Sequence, residues 1–461
     1  MLTTRLNTII KGRAVGPQDP DWAAARQAFN VTLDIRPAAV AFPIDVHDVM
    51  ALVRYARAHG LRIAPQATGH NAGPLVDLED TILVNVRELQ EISIDRAALR
   101  VRVGAGVKWE RVSPLLSEQG LAGLHGSSPD VGIAGYSLGG GMGWLARKYG
   151  LQTNSVTAME LVTADGHFVR ADADHEPELF WALRGGGGSF GVVTAIEFAV
   201  YPVEELYAGA MFFPFERAGE LLHTWRELLP ALPEETMTWA SLLHFPDAPF
   251  VPEFARGGSF AVLMGAHLGT EAEGRELLRP VRDLGPSLDT FAMVPPIELG
   301  DLAMDPPDPL PIASTTRQLS GLPAEAVDAV LDVVGPGAPA GTSVAMLQLR
   351  HMGGALARKA PGAGARATLP GEIALFALGV PVDEDSAATI HAALNALHTS
   401  MGPYAAGYYP NFVEEPSDPR AFFDEETWAR LQRVKALYDP ADVFRGNHHV
   451  PAEAAARRAA A

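Results

Sequence analysis

His70 stands in Ala67-Thr68-Gly69-His70-Asn71-Ala72-Gly73, where two glycines free the backbone around one imidazole. Glycine at 69 and 73 permits positive φ and removes the Cβ, so amides from Gln66 to Asn71 can converge on a phosphate. A histidine so placed is either an ordinary surface or hydrogen-bonding residue or one held close to a ligand. A second run, Gly132 to Gly143, is too glycine-dense for a helix and asks for close approach by another chain segment or a flat ligand. Gly186, Gly188 and Gly191 have G-x-G-x-x-G spacing. They follow a helical pattern and precede the strand-like Val192 to Val200, which inverts the dinucleotide-binding context and excludes a Rossmann site. Near the C-terminus lie Tyr408-Tyr409-Pro410-Asn411 and the neighbours His448 and His449. Adjacent residues of an extended chain point to opposite faces, and no carboxylates with ligand spacing accompany the histidines, so no metal site is expected.

The elements that must position these residues follow from periodicity. Val46 to Gly60 has helical spacing with Val49, Leu52, Val53 and Ala56 on one face, and Leu61 to Ala64 reads as a strand, which puts His70 in a tight loop after it. Thr81 to Val86 and Arg100 to Val103 read as strands, Lys108 to Gln119 as a helix, and Ser155 to Thr163 with His167 to Arg170 as a hairpin. Pro177 to Leu183 is a short helix with core anchors. This α+β or α/β texture changes after Tyr201-Pro202, where a domain boundary is placed. Beyond it, strands at Thr238 to His244, Ser259 to His267, Ser343 to His351 and Ile373 to Val380 alternate with helices. The helices are Ala218 to Leu229, Glu271 to Leu284 and Ala324 to Val334, a pattern that suits an antiparallel sheet covered on one side. The Pro-rich acidic stretch Pro295 to Pro311 reads as a solvated loop or a partner surface, and Ala355 to Pro370 as a mobile hairpin or loop. An amphipathic helix carries Trp428, Leu431, Val434 and Leu437, and Ala454 to Ala461 reads as a fraying tail.

The 461 residues imply two or three domains. A formal charge of −19 without a basic run argues against nucleic-acid binding, and no apolar run is long enough for a membrane span. The N-terminal residues lack a leader pattern, which gives a cytoplasmic expectation. The absence of cysteine excludes disulfides, thiolate metal sites and cysteinyl links.

Five blocks in chain order carry a resemblance: Gly69-His70-Asn71, Ser128 to Gly143, Arg147-Lys148-Tyr149-Gly150, Leu183 to Thr194, and Tyr438 to Asn447. Together they resemble the berberine-bridge-enzyme-like flavin oxidases of the vanillyl-alcohol-oxidase superfamily. The resemblance implies an α+β fold with a PCMH-type FAD-binding domain and a substrate domain whose helix-covered antiparallel sheet lies over the flavin. Residues 1–202 would form the N-terminal part of the FAD domain and 203–405 the substrate domain. Residues 406–453 would return to the FAD domain, leaving 454–461 as a disordered tail.

Carried over by position, His70 is implied as the covalent link to the flavin 8α-methyl carbon. Gln66, Ala67, Thr68, Gly69, Asn71, Gly132, Gly135, Gly139, Gly140, Val193 and Asn447 are implied as cofactor contacts. Ser128 stands where many members have a second, cysteinyl link, so a single attachment is expected. Val131 matches the position that gates oxygen, where a small β-branched residue resembles oxidases. Tyr136 is implied to face the ring, and Tyr409 to act as base. Tyrosine ionises near 10, so a base at neutral pH needs its pKa lowered by roughly three units, about 4 kcal/mol of preferential stabilisation. Arg350 or His351 could supply the cation, but strand alternation lets only one of them face the cavity. Gln348, Arg350 and His351 are also substrate candidates.

The expected activity is hydride transfer from an alcohol or amine carbon of a small soluble metabolite, with oxygen as acceptor and hydrogen peroxide as product. The alternatives are a flavin dehydrogenase, an oxidative-cyclisation enzyme and a non-catalytic flavin-binding protein. Substrate identity and oligomeric state stay open.

Overall fold

The carboxylate of Asp45 accepts the Asp48 N–H and so caps the helix Val46–Ala58. Buried Asp48 in turn accepts the N–H groups of Lys11, Gly12 and Ile44. The helix buries Val49, Leu52, Val53 and Ala56 and returns the chain to the strand Arg62–Gln66. That strand runs parallel to Thr81–Asn85, which is itself parallel to Ala39–Phe42, and Arg13–Val15 adds an antiparallel edge. His70 therefore follows the carboxyl end of a parallel strand, where open sheets of this kind present their ligand loops.

The computed structural model describes residues 2–453 apart from 250, 252, 307 and 339–341. Beside the first sheet lies a five-stranded antiparallel sheet in the order Ile92–Asp95, Arg100–Gly104, Val192–Ala199, Val156–Val162, Phe168–Asp172. The two sheets share one core, which also receives Trp428, Leu431, Val434 and Phe444 from the C-terminal return. The return is fixed by backbone and by charge. Ile63 N–H donates to the Val443 carbonyl and Arg445 N–H to the Ile63 carbonyl, each at 2.8 Å. Fully buried Lys435 donates to the carbonyls of Ser189 and Phe444 and pairs with Asp439 at 2.6 Å, while Asp439 accepts the N–H groups of Val443 and Phe444.

The second half of the molecule is built on a nine-stranded antiparallel sheet, counted among the described residues. Ala218–Leu228, Ala324–Val334 and Glu384–Ser400 cover one face, with Leu221, Val327 and Leu397 in their shared core. The opposite face meets the first half, where Trp239 stacks on Trp144 with ring centroids 3.6 Å apart.

Several sequence expectations need correction. The glycine-dense run contains a helix, Ile133–Gly139. A Cβ at Gly139 would lie 1.7 Å from Asn411 Oδ1, so here glycine answers to a neighbour pressing on a helix and not to irregular backbone. The helix expected from Glu271 to Leu284 breaks at Leu278 into Glu271–Leu277 and Arg279–Arg282, with Pro280 tolerated in the first turn of the second piece. The segment Ala355 to Pro370 is packed, with Leu356, Arg366 and Leu369 buried. In the helix Glu425–Tyr438 the outward Leu437 is 69% exposed, and Lys435 takes the buried place. The tail 454–461 lies outside the described residues.

Candidate active site

Between the two halves lies a cavity of about 1090 Å³. Gln66, Ala67, Thr68, Gly69, His70, Asn71, Ser128, Val131, Gly132, Gly135, Gly139, Val193 and Asn447 border it, as do Tyr136, Tyr409 and Arg350. Gly140 stands behind this wall at φ +137°, with its Cβ direction blocked by Arg366 and the Tyr409 ring at 3.1 and 3.2 Å.

The His70 ring stacks on Phe29 at 3.9 Å, and its Nδ1 is 2.8 Å from the Thr68 hydroxyl. Nε2 lies 3.2 Å from Oδ2 of buried Asp130, close but without hydrogen-bond alignment. His70 Nε2, Asp130 Oδ1 and both polar atoms of the Gln66 side chain are buried with no hydrogen-bond partner among the described residues. The loop is tied to two others: Asn71 Nδ2 donates to the Pro410 carbonyl at 2.9 Å, and Asn447 Nδ2 donates to Asn71 Oδ1 at 3.0 Å. His448 Nε2 also meets the Pro410 carbonyl, at 2.9 Å, and burial pulls its pKa down to about 4.

Tyr409 is 1% exposed, and its hydroxyl oxygen accepts the N–H groups of Gly141 and Met142, both at 2.9 Å. Burial pushes its pKa up to about 12, outweighing the two N–H donors and the nearby Arg366 and Arg350, all of which favour the phenolate. The protein alone therefore keeps Tyr409 a neutral phenol at pH 7, against the expectation of a lowered pKa. Tyr136 presents its ring to the cavity, but its hydroxyl donates to the Leu124 carbonyl at 2.9 Å and burial raises its pKa further. Its proton is thus committed to backbone.

Register decides between the two candidate cations. Arg350 pairs across the sheet with Trp239, and its guanidinium sits 3.9 Å from that ring centroid. It is buried at the cavity wall, where burial pulls its pKa down to about 10. His351 does not border the cavity. Its Nε2 meets Arg147 at 2.8 Å, and burial beside that cation lowers its pKa to about 3. Gln348 does not border it either and instead accepts from Arg350 Nε at 3.0 Å.

Other residues at the cavity were not singled out from sequence as site residues. Gly185 to Gly188 and Gly191 border it, and a Cβ at Gly135 or Gly187 would meet nothing within 4 Å. Their spacing was visible, but the dinucleotide motif was the wrong template. The described residues of the stretch expected as a solvated loop or partner surface, Pro295 to Pro311, border the cavity as a strap. Asp301, Met304, Asp305 and Leu310 face inward, and Ser128 Oγ donates to Asp305 Oδ2 at 2.5 Å. Val31 N–H donates to the Leu310 carbonyl at 3.0 Å, and Asn30 Nδ2 to that of Ile312 at 2.9 Å. A chain poor in N–H donors suits such a strap, because few hydrogen bonds need satisfying along it.

A cradle of glycines, an imidazole beside a carboxylate and unpartnered polar atoms facing the loop together fit a large anionic, planar cofactor. A family model described as FAD binding domain matches residues 37–172, and one described as berberine and berberine like matches 398–451. An (R)-6-hydroxynicotine oxidase of Paenarthrobacter nicotinovorans is 34% identical over 225 residues, about half the length of each chain. An uncharacterized FAD-linked oxidoreductase of Bacillus subtilis is 26% identical over 96% of this chain and 98% of its own. Among solved structures, 6-hydroxy-D-nicotine oxidase from Arthrobacter nicotinovorans superimposes with a TM-score of 0.81 at 25% identity, over 96% of this chain and 98% of its own. Physcomitrella patens BBE-like 1 shares the fold, with a TM-score of 0.84 at 22% identity over 98% and 99%. With a FAD binding domain and a berberine-like segment present in a fold common to these enzymes, the chain is an FAD-linked oxidoreductase similar to the berberine-bridge-like, PCMH-type FAD oxidases.

Proposed function

We propose that the protein is an oxidase that takes hydride from an alcohol or amine carbon of a small metabolite and passes the electrons to dioxygen, giving hydrogen peroxide. FAD would be attached through His70 alone. The observation that carries this reading is the meeting of the His70 loop, the glycine cradle and Tyr409 in one cavity. Bound FAD would supply the hydride acceptor.

The chain's own residues do the rest. Backbone at Gln66 to Asn71, with Gly132, Gly135 and Gly185 to Gly188, would hold the cofactor. Asp130 beside Nε2 favours the tautomer that carries its proton there, which leaves Nδ1 as the nucleophilic nitrogen. Ser128 offers no thiol and commits its hydroxyl to Asp305, which supports one link instead of two. As a neutral phenol, Tyr409 orients the substrate hydroxyl or amine. Once deprotonated, Tyr409 holds its phenolate charge against the Gly141 and Met142 N–H groups until it takes the substrate proton and becomes neutral again. Val131 at the cavity wall supports oxygen as the acceptor by its resemblance to oxidases.

Acid precipitation of purified protein tests the attachment. Yellow colour should stay with the pellet and move to the supernatant in His70→Ala. Anaerobic reduction followed by air tests the acceptor, because rapid reoxidation with peroxide formation is expected and reduced flavin persisting in air would make the protein a dehydrogenase.

A further inference from the structure

The substrate side of the cavity is an apolar wall around one buried cation. Leu243, Phe245, Met346, Phe376, Leu378 and Val380 border it from the sheet and its edges. Along the strand Met346–His351, Leu347 and Leu349 join the core beneath the helices, so Met346, Gln348 and Arg350 share the opposite face. Oligosaccharides present hydroxyls on every side, and apart from His244 the stretch of wall named here is apolar and offers them few partners.

Arg350 is 4% exposed and held rigidly. Its guanidinium lies 3.9 Å from the Trp239 ring centroid and 4.8 Å from that of Phe412. Nε donates to Gln348 Oε1 at 3.0 Å and Nη2 to the same oxygen at 2.5 Å. Nη1 takes no part in these bonds. Asp305, Tyr409 and Tyr136 lie within Coulombic reach, but none is hydrogen-bonded to Arg350, and Asp305 is engaged by Ser128. The other carboxylates at the cavity, Asp301 and Glu414, come from the strap and from the turn after Pro410, away from the sheet wall. A buried guanidinium without a bonded anion is costly, and a carboxylate is its planar complement.

We infer that the substrate is an apolar carboxylate, with its acidic head on Arg350 and its hydrocarbon or aromatic body along the wall from Leu243 to Val380. This inference rests on the oxidase reading and adds the substrate class. Straight-chain carboxylates from butyrate to decanoate, the matching primary alkanols and xylobiose are titrated by calorimetry into the FAD-loaded protein at pH 7. Carboxylate affinity should rise about fourfold per added methylene until the wall is filled. Each carboxylate should bind at least tenfold tighter than the alkanol of equal length. In Arg350→Gln that ratio should fall to near one while the dependence on chain length survives, and Arg350→Lys should keep part of the ratio. The inference is overturned if carboxylate and alkanol bind equally, if chain length has no effect, or if xylobiose outbinds octanoate. Should Arg350→Gln fail to fold in a melting assay, the wild-type comparison decides alone. Binding heat does not depend on turnover, so a protein that binds octanoate yet whose flavin is reduced by none of the hydroxy or amino acids of matching length would fail the oxidase reading and not this one.

Discussion

The two walls of the cavity are made of different material. The cofactor wall is largely backbone, with glycines, amides and carbonyls tied together by Asn71, Pro410 and Asn447. The substrate wall is side chain, with apolar residues and one guanidinium on a sheet whose other face is a conventional helix-covered core. A backbone wall fails when an atom is added to it, and a side-chain wall changes preference when an atom is removed. One wall therefore constrains residue type narrowly, and the other can vary while the fold persists.

The severest way to break this contrast is Gly139→Val. Its Cβ would press into Asn411 Oδ1 at 1.7 Å, so FAD should no longer copurify, as read from the 280 to 450 nm absorbance ratio. Tyr409→Phe should lower kcat by about 10²–10⁴-fold with FAD fully retained. In the wild type the rate should climb through the alkaline range toward the Tyr409 value of about 12, because the phenolate becomes available only as pH rises. A flat profile from pH 7 to 10 in steady-state assays would remove Tyr409 as the base.

Acid stability probes both halves at once. His448 on the cofactor side and His351 on the substrate side are held near 4 and 3, below the unfolded value of about 6.5. Unfolding lets them take up protons, so their contribution is whole above pH 6.5 and fades as pH falls toward those values. For His448 the loss amounts to about 3 kcal/mol. Urea midpoints from pH 7 to 4.5 should fall, and His448→Gln and His351→Gln should each flatten the fall. Smallest of all, Leu378→Ala should raise KM about tenfold for an apolar substrate while leaving FAD content unchanged.

The same division explains what could be read from the chain beforehand. Glycine and histidine at fixed spacing announced the cofactor wall, because only certain residues tolerate that backbone. The helix Ile133–Gly139 was hidden because its Gly139 responds to Asn411, more than 270 positions away. Arg350 and His351 could not be separated until the pairing of Arg350 with Trp239 fixed the register. The strap was misread because its Pro-rich, acidic composition is also that of a solvated loop, and its hydrogen bonds to Asn30 and Val31 have no local signal. Lys435 was passed over because a charged residue is assigned to the outside of a helix, and its partners, Ser189 and the Asp439 to Phe444 turn, converge only in the fold.

The clasp of Ile63 by Val443 and Arg445 also sets a timetable. The loop bearing His70 is made early in synthesis, but Asn447, which steadies it through Asn71, leaves the ribosome almost four hundred residues later. A nascent chain therefore carries the His70 loop long before it carries the residue that seats it. The site is thus assembled from segments made far apart in time, and it closes only once residues 443–447 have been added.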